Sequence, residues 1–411
     1  MARVLDDLTN YSFKGTRSPQ IMDARLKRSG VPSRILQIQN EDAVRRYTAR
    51  YQVKVDGLDS AKVTQFLRGG IKANWSEEKA QEGVLEDGLR KRLVKAAIRA
   101  LYALGTDAGE VEIAVLPGRR YAVDKIKVRY NVQDRNRAEQ HGEPPFSGTG
   151  LESDILMGMD PEFILVSKQG HIIPASLYLE RGGAAGSDAV REGDEVSYPL
   201  GELRPMPQPD PDRLLVSMRQ TLREAQQLIT DDTLQWKAGG LPDPRYPLGG
   251  HLHFSGVPLT MSVLQCLDNY LALPLAILED PAGRGRRPRY GFLGDYRRQP
   301  YGGFEYRTLP SFLVSPLITK ASLYIAYLII MHHSKLRARP LNHERYHKAY
   351  YEGNPAVLRE AALKLHQDLT LLPEYGTYSR VIDQLFEYIR EGRTWDESRD
   401  IRPLWNIPAM P

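Results

Sequence analysis

The chain has 411 residues, enough for one large domain or two of ordinary size, with 41% hydrophobic and 26% charged residues and no low-complexity tract. A net charge of +5 is mild for this length, and no basic run resembles the stripe a polynucleotide needs, so no nucleic-acid partner is expected. One cysteine, Cys266, excludes an internal disulfide framework and a cysteine zinc site, and a reducing, cytoplasmic compartment fits it best.

Residues 1–14 lack the apolar segment of a secretory signal. Residues 1–35 give little periodic signal, 35–38 reads as a short strand and 41–50 as a helix. The clearest N-terminal element is a helix over 89–104, with Leu93, Ala96, Ala97, Ala100, Leu101 and Leu104 at helical spacing and Gly105 where a C′ glycine belongs. Strands at 111–116 and 121–128 follow, joined by Pro117-Gly118. Residues 131–150 are polar and rich in Pro and Gly and read as a linker. That divides the chain into a small α/β N-terminal domain (1–145), a catalytic domain (150–400) and a Pro-rich tail (401–411).

From residue 155 the pattern changes to strands separated by longer loops. Strands are expected at 160–166, 171–173, 199–204, 233–237, Gly250–Ser255 and 303–309, and helices at 212–229, 263–278, 316–331, 354–368 and 379–391. The most apolar stretch, 317–331, is interrupted by Lys320 and too short to span a bilayer, so no membrane partner is expected. Cys266 falls inside an apolar helix and reads as core.

Four of these strands carry two functional side chains one residue apart: Asp160-Pro-Glu162, Glu202-Leu-Arg204, His251-Leu-His253 and Glu305-Tyr-Arg307. Residues i and i+2 of a strand share a face, so four such strands side by side gather acids, imidazoles and guanidiniums on one surface. Clustered charge of this kind is costly unless metals or anionic ligands satisfy it. Carboxylates with an imidazole suit Mg²⁺ or Mn²⁺, and Asp160, Glu162, Glu202, His251 and Glu305 are ligands enough for two ions.

Between Gly283 and Arg307 lie seven arginines: Arg284, Arg286, Arg287, Arg289, Arg297, Arg298 and Arg307. A metal hydrolase rarely needs so many, whereas phosphoryl transfer spreads charge over oxygens that cations must meet. No P-loop and no nucleophile elbow is present.

Six segments together resemble the phage phiEco32-like COOH–NH2 ligase type 2 family, amidoligases related to glutamine synthetase and glutamate–cysteine ligase. They are Gly158-Met-Asp-Pro-Glu-Phe163, Pro199-Leu-Gly-Glu-Leu-Arg-Pro205, Gly249-Gly-His-Leu-His-Phe254, Leu271-Ala-Leu-Pro-Leu-Ala276, Tyr290-Gly-Phe-Leu-Gly-Asp-Tyr-Arg297 and Tyr301-Gly-Gly-Phe-Glu-Tyr-Arg-Thr-Leu-Pro-Ser311. The resemblance covers roughly residues 155–335. It implies an α+β fold, with an antiparallel glutamine-synthetase-like sheet carrying a metal/ATP site on one face and helices flanking it. It also implies an ATP-dependent ligase that makes an acyl phosphate from a carboxylate and passes the acyl group to an amine.

Carried onto this chain, the resemblance gives Asp160, His251 and Glu305 one metal and Glu162 and Glu202 the other. His253 would contact an ATP phosphate, with Arg204 also toward the nucleotide. Arg307 would face the substrate carboxylate or acyl phosphate, and Arg287, Arg289 and Arg297 are candidates for the transferred phosphoryl group. Asp160 stands where the family has a longer Glu. Glu202 or Glu192 would take the amine's proton. The implied substrates are a small-molecule or peptide carboxylate and an amine, of amino-acid, peptide or cell-wall type. Oligomeric state is left open.

Residues 96–107 with the following strands also look like the closing helix and hairpin of ATP-grasp proteins. Val123-Asp-Lys-Ile-Lys127 stands where the metal-binding residues would be, which implies a degenerate remnant serving packing or docking. Two other readings stand beside the ligase: a metal-dependent hydrolase using the His-x-His strand, and a non-catalytic binding or assembly protein. ATP dependence separates them.

Overall fold

A computed structural model of the chain describes residues 18–37, 47–58, 60–66, 80–81, 85–129 and 155–407. The chain divides into two compact units, Met1–Pro145 with Asn342–Lys348, and Phe146–Leu341 with Ala349–Pro411.

In the first unit, Pro19 opens helix α1 (Pro19–Arg28) where a missing N–H costs nothing, and the Ser18 hydroxyl accepts the Ile21 N–H. β1 (Ala49–Asp56), β2 (Ser60–Phe66) and β3 (Ala80–Gln81) precede helix α2 (Asp87–Ala103), and β4 (Ala108–Leu116) and β5 (Arg120–Val128) follow it. The sheet order is β3-β2-β1-β4-β5 and its pairings are antiparallel, so this unit is α+β and not the expected α/β. The apolar stripe of α2 packs as read, with Leu93, Ala97 and Leu101 buried beside Val53, Val111 and Ile113. Gly105 takes a left-handed φ of +82° after the helix.

Two N-terminal expectations fail. Residues 35–37 form a turn instead of a strand, and residue 38 lies outside the described residues. Of the helix expected at 41–50, Ala49 and Arg50 begin β1, and 41–46 lie outside the described residues. The cause is the two-residue alternation that follows, with Tyr51, Val53 and Val55 inward and Lys54 and Asp56 outward. The linker expected at 131–150 also lies outside the described residues. Asp124 is held by the Arg34 guanidinium through two bonds of 2.9 Å.

The second unit is built on β6 (Leu156–Val166), with the short β7 (Ile172–Ile173) and β10 (Gln235–Lys237) pairing to its far end. The main path runs β12 (Tyr296–Arg298), β13 (Phe304–Tyr306), β11 (Gly250–Ser255), β6, β9 (Glu195–Leu203), β8 (Ala185–Glu192), again antiparallel. One face is apolar: Met157, Met159, Phe163, Leu203, Leu252, Phe254, Phe304 and Tyr306 are buried. Helix α3 (Pro211–Leu228) lies against β6, β8 and β9. Phe163 stacks on Trp236 with centroids 5.0 Å apart, and its ring fills the space a side chain at Gly201 would need.

The single helix expected over 263–278 has three parts: α4 (Met261–Leu267), a π turn (Asp268–Ala272) and α5 (Leu273–Leu278). Pro274 has no N–H for the carbonyl of Tyr270 four residues back, and the widened turn sends the Leu273 N–H to Asp268 O instead. Asp268 turns inward, where its carboxylate accepts the Tyr306 hydroxyl at 2.7 Å and the Gly294 N–H at 3.1 Å. Among the described residues, Met261–Leu278 is the one helical run long and apolar enough to cross a membrane, and most of it is buried.

Helices α6 (Pro316–His332), α7 (Pro355–Thr370) and α8 (Tyr375–Glu391) pack with this run. Ser315 and Asn354 cap the first two, each followed by Pro at N1. Residues 401–407 are no loose tail. Ile401 and Ile407 are buried, and the Trp405 indole donates to Leu313 O at 2.8 Å.

Candidate active site

The polar face of the second sheet takes its order from strand register. His251 pairs with Asp160, Glu162 with Glu202, His253 with both Gly158 and Glu305, and Glu305 with Arg297. Register partners share a face, so the four spaced pairs converge on one surface. A side chain at Gly249 would collide with the His251 ring and one at Gly250 with Pro310 O and the Phe312 ring, and the Gly249 N–H donates to Glu162 Oε2 at 2.6 Å.

Two groups of ligand atoms result, each with all its atoms within 4.8 Å: Asp160, His251 and Glu305, and Glu162, Glu202 and His251. His251 Nδ1 lies 3.1 Å from Asp160 Oδ1 and 3.3 Å from Glu305 Oε1. Glu305 is 2% exposed, Glu202 5% and Glu162 6%. Burial pushes the Glu162 carboxyl up to about 7, opposed by His251 and the Gly249 N–H. Glu202 is pushed up to about 9 by burial and then by the Asp160 charge, against Arg204. Burial would also raise Asp160, but the two imidazoles outweigh it and hold that carboxyl well below its usual range. Burial would lower His251, and Asp160 and Glu162 raise it instead.

A hard divalent cation fits this donor set. Asp160 Oδ1 is buried and, close as it is to His251, lacks hydrogen-bond geometry to any donor. Glu162 and Glu202, raised by burial, hold protons that a cation would replace.

The arginines separate into two groups. Arg307 and Arg297 reach Glu305, Arg297 Nη1 at 3.5 Å from Oε2, and Arg204 pairs with Glu202 while donating to Gly183 O at 3.2 Å. Arg287 departs from its expected place at the nucleotide. It is buried, donates to Glu279 Oε2 at 2.6 Å and lies over Tyr350, with Arg286 on the same carboxylate. Its charge is spent on holding the fold. Arg289 is exposed beside Tyr290, and Arg284 donates to Gly353 O at 3.4 Å.

His253 is on the face, but both ring nitrogens have partners, Asp160 Oδ2 at 3.0 Å and the Tyr301 hydroxyl at 3.2 Å. A phosphate contact through the ring would have to displace one of them. Glu192 pairs with Glu195 at the turn of the β8–β9 hairpin, while Glu202 pairs with Gly186 at its other end.

Four residues escaped the sequence. Asp188 sits on the site face of β8, within reach of the charges of Glu162 and Glu202. Gln299 donates to Glu305 Oε2 at 2.7 Å, Tyr301 meets His253, and Asp268 anchors β13 from behind. Arg297, Gln299 and Tyr301 repeat the two-residue spacing, the signal that could have found the middle two. Asp188 had no such signal, since β8 has no apolar alternation.

Residues 157–407 match the sequence model of the family described as phage phiEco32-like COOH.NH2 ligase-type 2. No curated protein matches the chain. Among solved structures, a bifunctional glutathione synthetase from Pasteurella multocida shares 11% identity and a TM-score of 0.40, over 62% of this chain and 52% of that one. The chain thus spans about half the length of that protein, and the likeness is too slight to fix the fold.

Proposed function

Since the chain belongs to the phage phiEco32-like COOH.NH2 ligase-type 2 family, we propose that it joins a carboxylate to an amine at the expense of ATP, through an acyl phosphate. The observation that carries this is the pair of carboxylate–imidazole groups sharing His251, flanked by Arg204 at one end and Arg307 and Arg297 at the other. A hydrolase has no use for guanidiniums at both ends, whereas a transferring phosphoryl group does.

In this reading Asp160, His251 and Glu305 hold one Mg²⁺ or Mn²⁺, and Glu162 and Glu202 hold the other. The ions, when bound, neutralise the polyphosphate and polarise the γ-phosphoryl group. A carboxylate oxygen of the substrate attacks the γ-phosphorus and ADP leaves. Arg307 and Arg297 meet the charge on the transferring oxygens. The amine nitrogen then attacks the acyl carbon, and the C–O bond to phosphate breaks, its electron pair leaving with inorganic phosphate. Glu202, a carboxylate once the cation has taken its proton's place, would accept the proton the amine gives up. Arg204, paired with the same carboxylate, faces the nucleotide, and Asp188 borders the side from which the amine enters. The sheet is of glutamine-synthetase type in this reading, and the first unit is a packing or docking module without catalysis.

The test is ADP release under Mg²⁺ with pooled carboxylates and amines, followed by hydroxylamine in place of the amine. Formation of a hydroxamate that needs ATP supports the acyl phosphate. ADP release indifferent to the carboxylate refutes it.

A further inference from the structure

The turn between β12 and β13 carries a contact chain that the ligase reading leaves unused. Gln299 and Gly303 close the hairpin, with the Gln299 N–H donating to Gly303 O at 2.9 Å and the Gly302 N–H to Gln299 O at 3.1 Å. Gly302 takes a φ of +86°, which a residue with a side chain adopts only under strain, and Gly303 leaves no room for a Cβ against Phe254 O. The turn therefore sets Tyr301 two residues beyond Gln299, the residue 58% exposed and its hydroxyl turned in toward His253.

Resting on the metal assignment above, we infer that Tyr301 is a positioning residue that acts through His253 on Asp160. Because Nε2 lies 3.0 Å from the carboxylate oxygen Asp160 Oδ2, the ring proton belongs on Nε2, and Nδ1 is left to accept the phenol O–H at 3.2 Å. That bond occupies Oδ2 and leaves Oδ1, the buried oxygen beside His251, for the cation. Asp160 is the shortest acid of the set, so its aim depends on what grips its second oxygen. Partners one step behind a ligand fix its orientation and change metal affinity by about 10–100-fold. His253 serves here as the grip, and Tyr301 fixes its tautomer and ring plane.

The experiment is Mn²⁺ binding to the full chain, read as the loss of the free-ion electron paramagnetic resonance signal, without ATP or substrate. Tyr301→Phe removes one hydroxyl from a largely exposed residue and should weaken the tighter site by about 10-fold at an unchanged thermal midpoint. In a His253→Asn background the same substitution should add nothing, because its effect runs through the ring. Wild-type affinity in Tyr301→Phe, or an effect that persists in full without His253, overturns the inference alone. His251→Asn separates it from the broader reading. Undiminished Mn²⁺ binding in that variant overturns the metal assignment and this inference with it.

Discussion

Glu162 and Glu202 face one another directly across β6 and β9, two buried carboxylates at neighbouring positions of one sheet face. Core packing alone gives no reason to build such a pair, since burial, with the nearby Asp160 and Asp188 charges, opposes ionisation and raises the two to about 7 and 9. Each raised value measures how poorly the protein alone satisfies the charge. The same arrangement with a divalent cation between the oxygens turns the cost into affinity.

Stability without metal should therefore fall as pH rises. Between the ordinary glutamate value of 4.5 and the raised values, the folded chain holds more protons than the unfolded one. His251, also raised, acts in the same direction by losing its favourable charge as pH climbs. The expected slope is a loss of up to about 1.4 kcal/mol per pH unit for each proton held, measured by urea unfolding with chelator from about pH 5 to 9. Saturating Mg²⁺ should flatten it, and Glu202→Gln should remove part of it. A chelated wild type whose stability rises with pH relative to Glu202→Gln would contradict the electrostatic account.

Glu162→Gln and Glu305→Gln should keep the fold and lose ATP turnover. The amide carbonyl introduced at position 162 can still accept the Gly249 N–H, and amide oxygens at these two positions no longer carry the charge a cation needs. Circular dichroism should overlay the wild type, while steady-state ADP release drops by at least about 100-fold. Turnover near wild type in either variant removes that residue from the metal set.

Arg287 and Arg297 should behave oppositely. Arg287→Met leaves buried Glu279 with only the longer contact to Arg286, a loss of up to about 3–5 kcal/mol, and Glu279→Gln in the same chain should restore part of it. Arg297, 61% exposed, should cost little stability when replaced by glutamine and should lower turnover instead. Thermal melts and ADP release on the same preparations distinguish them.

The contrast between those two arginines also marks how far the sequence could be read. Two-residue spacing in strands is a local property, so Asp160, Glu162, Glu202, His251, His253 and Glu305 were legible as one face before their order in the sheet was known. Apolar periodicity located α2, α3 and α6 to within a few residues. The fate of Arg287 was not legible, because its partner Glu279 lies across a loop whose path no local pattern encodes. The π turn was implicit in Pro274, whose missing N–H breaks the helix at a known place, yet the inward aim of Asp268 toward Tyr306 appears only when β13 is in position. Strand β8 lacked alternation, and with it went Asp188.

Arg307→Lys tests the choice between a point charge and a fork. Arg307 pairs with Glu305 and its backbone N–H donates to Asp295 O at 2.9 Å, so the residue is held at both main chain and side chain. Its guanidinium is 25% exposed, which leaves donors for a ligand beyond the one given to Glu305. A lysine at this position keeps the positive charge beside Glu305, so Mn²⁺ affinity should change by no more than about 3-fold. It cannot present two parallel N–H groups to the oxygens of a phosphoryl or carboxylate group, and turnover should fall by about 100-fold or more. The comparison needs ADP release and Mn²⁺ binding on one preparation. Loss of both would mean that Arg307 serves mainly to hold Glu305, and retention of both would remove it from the transfer step.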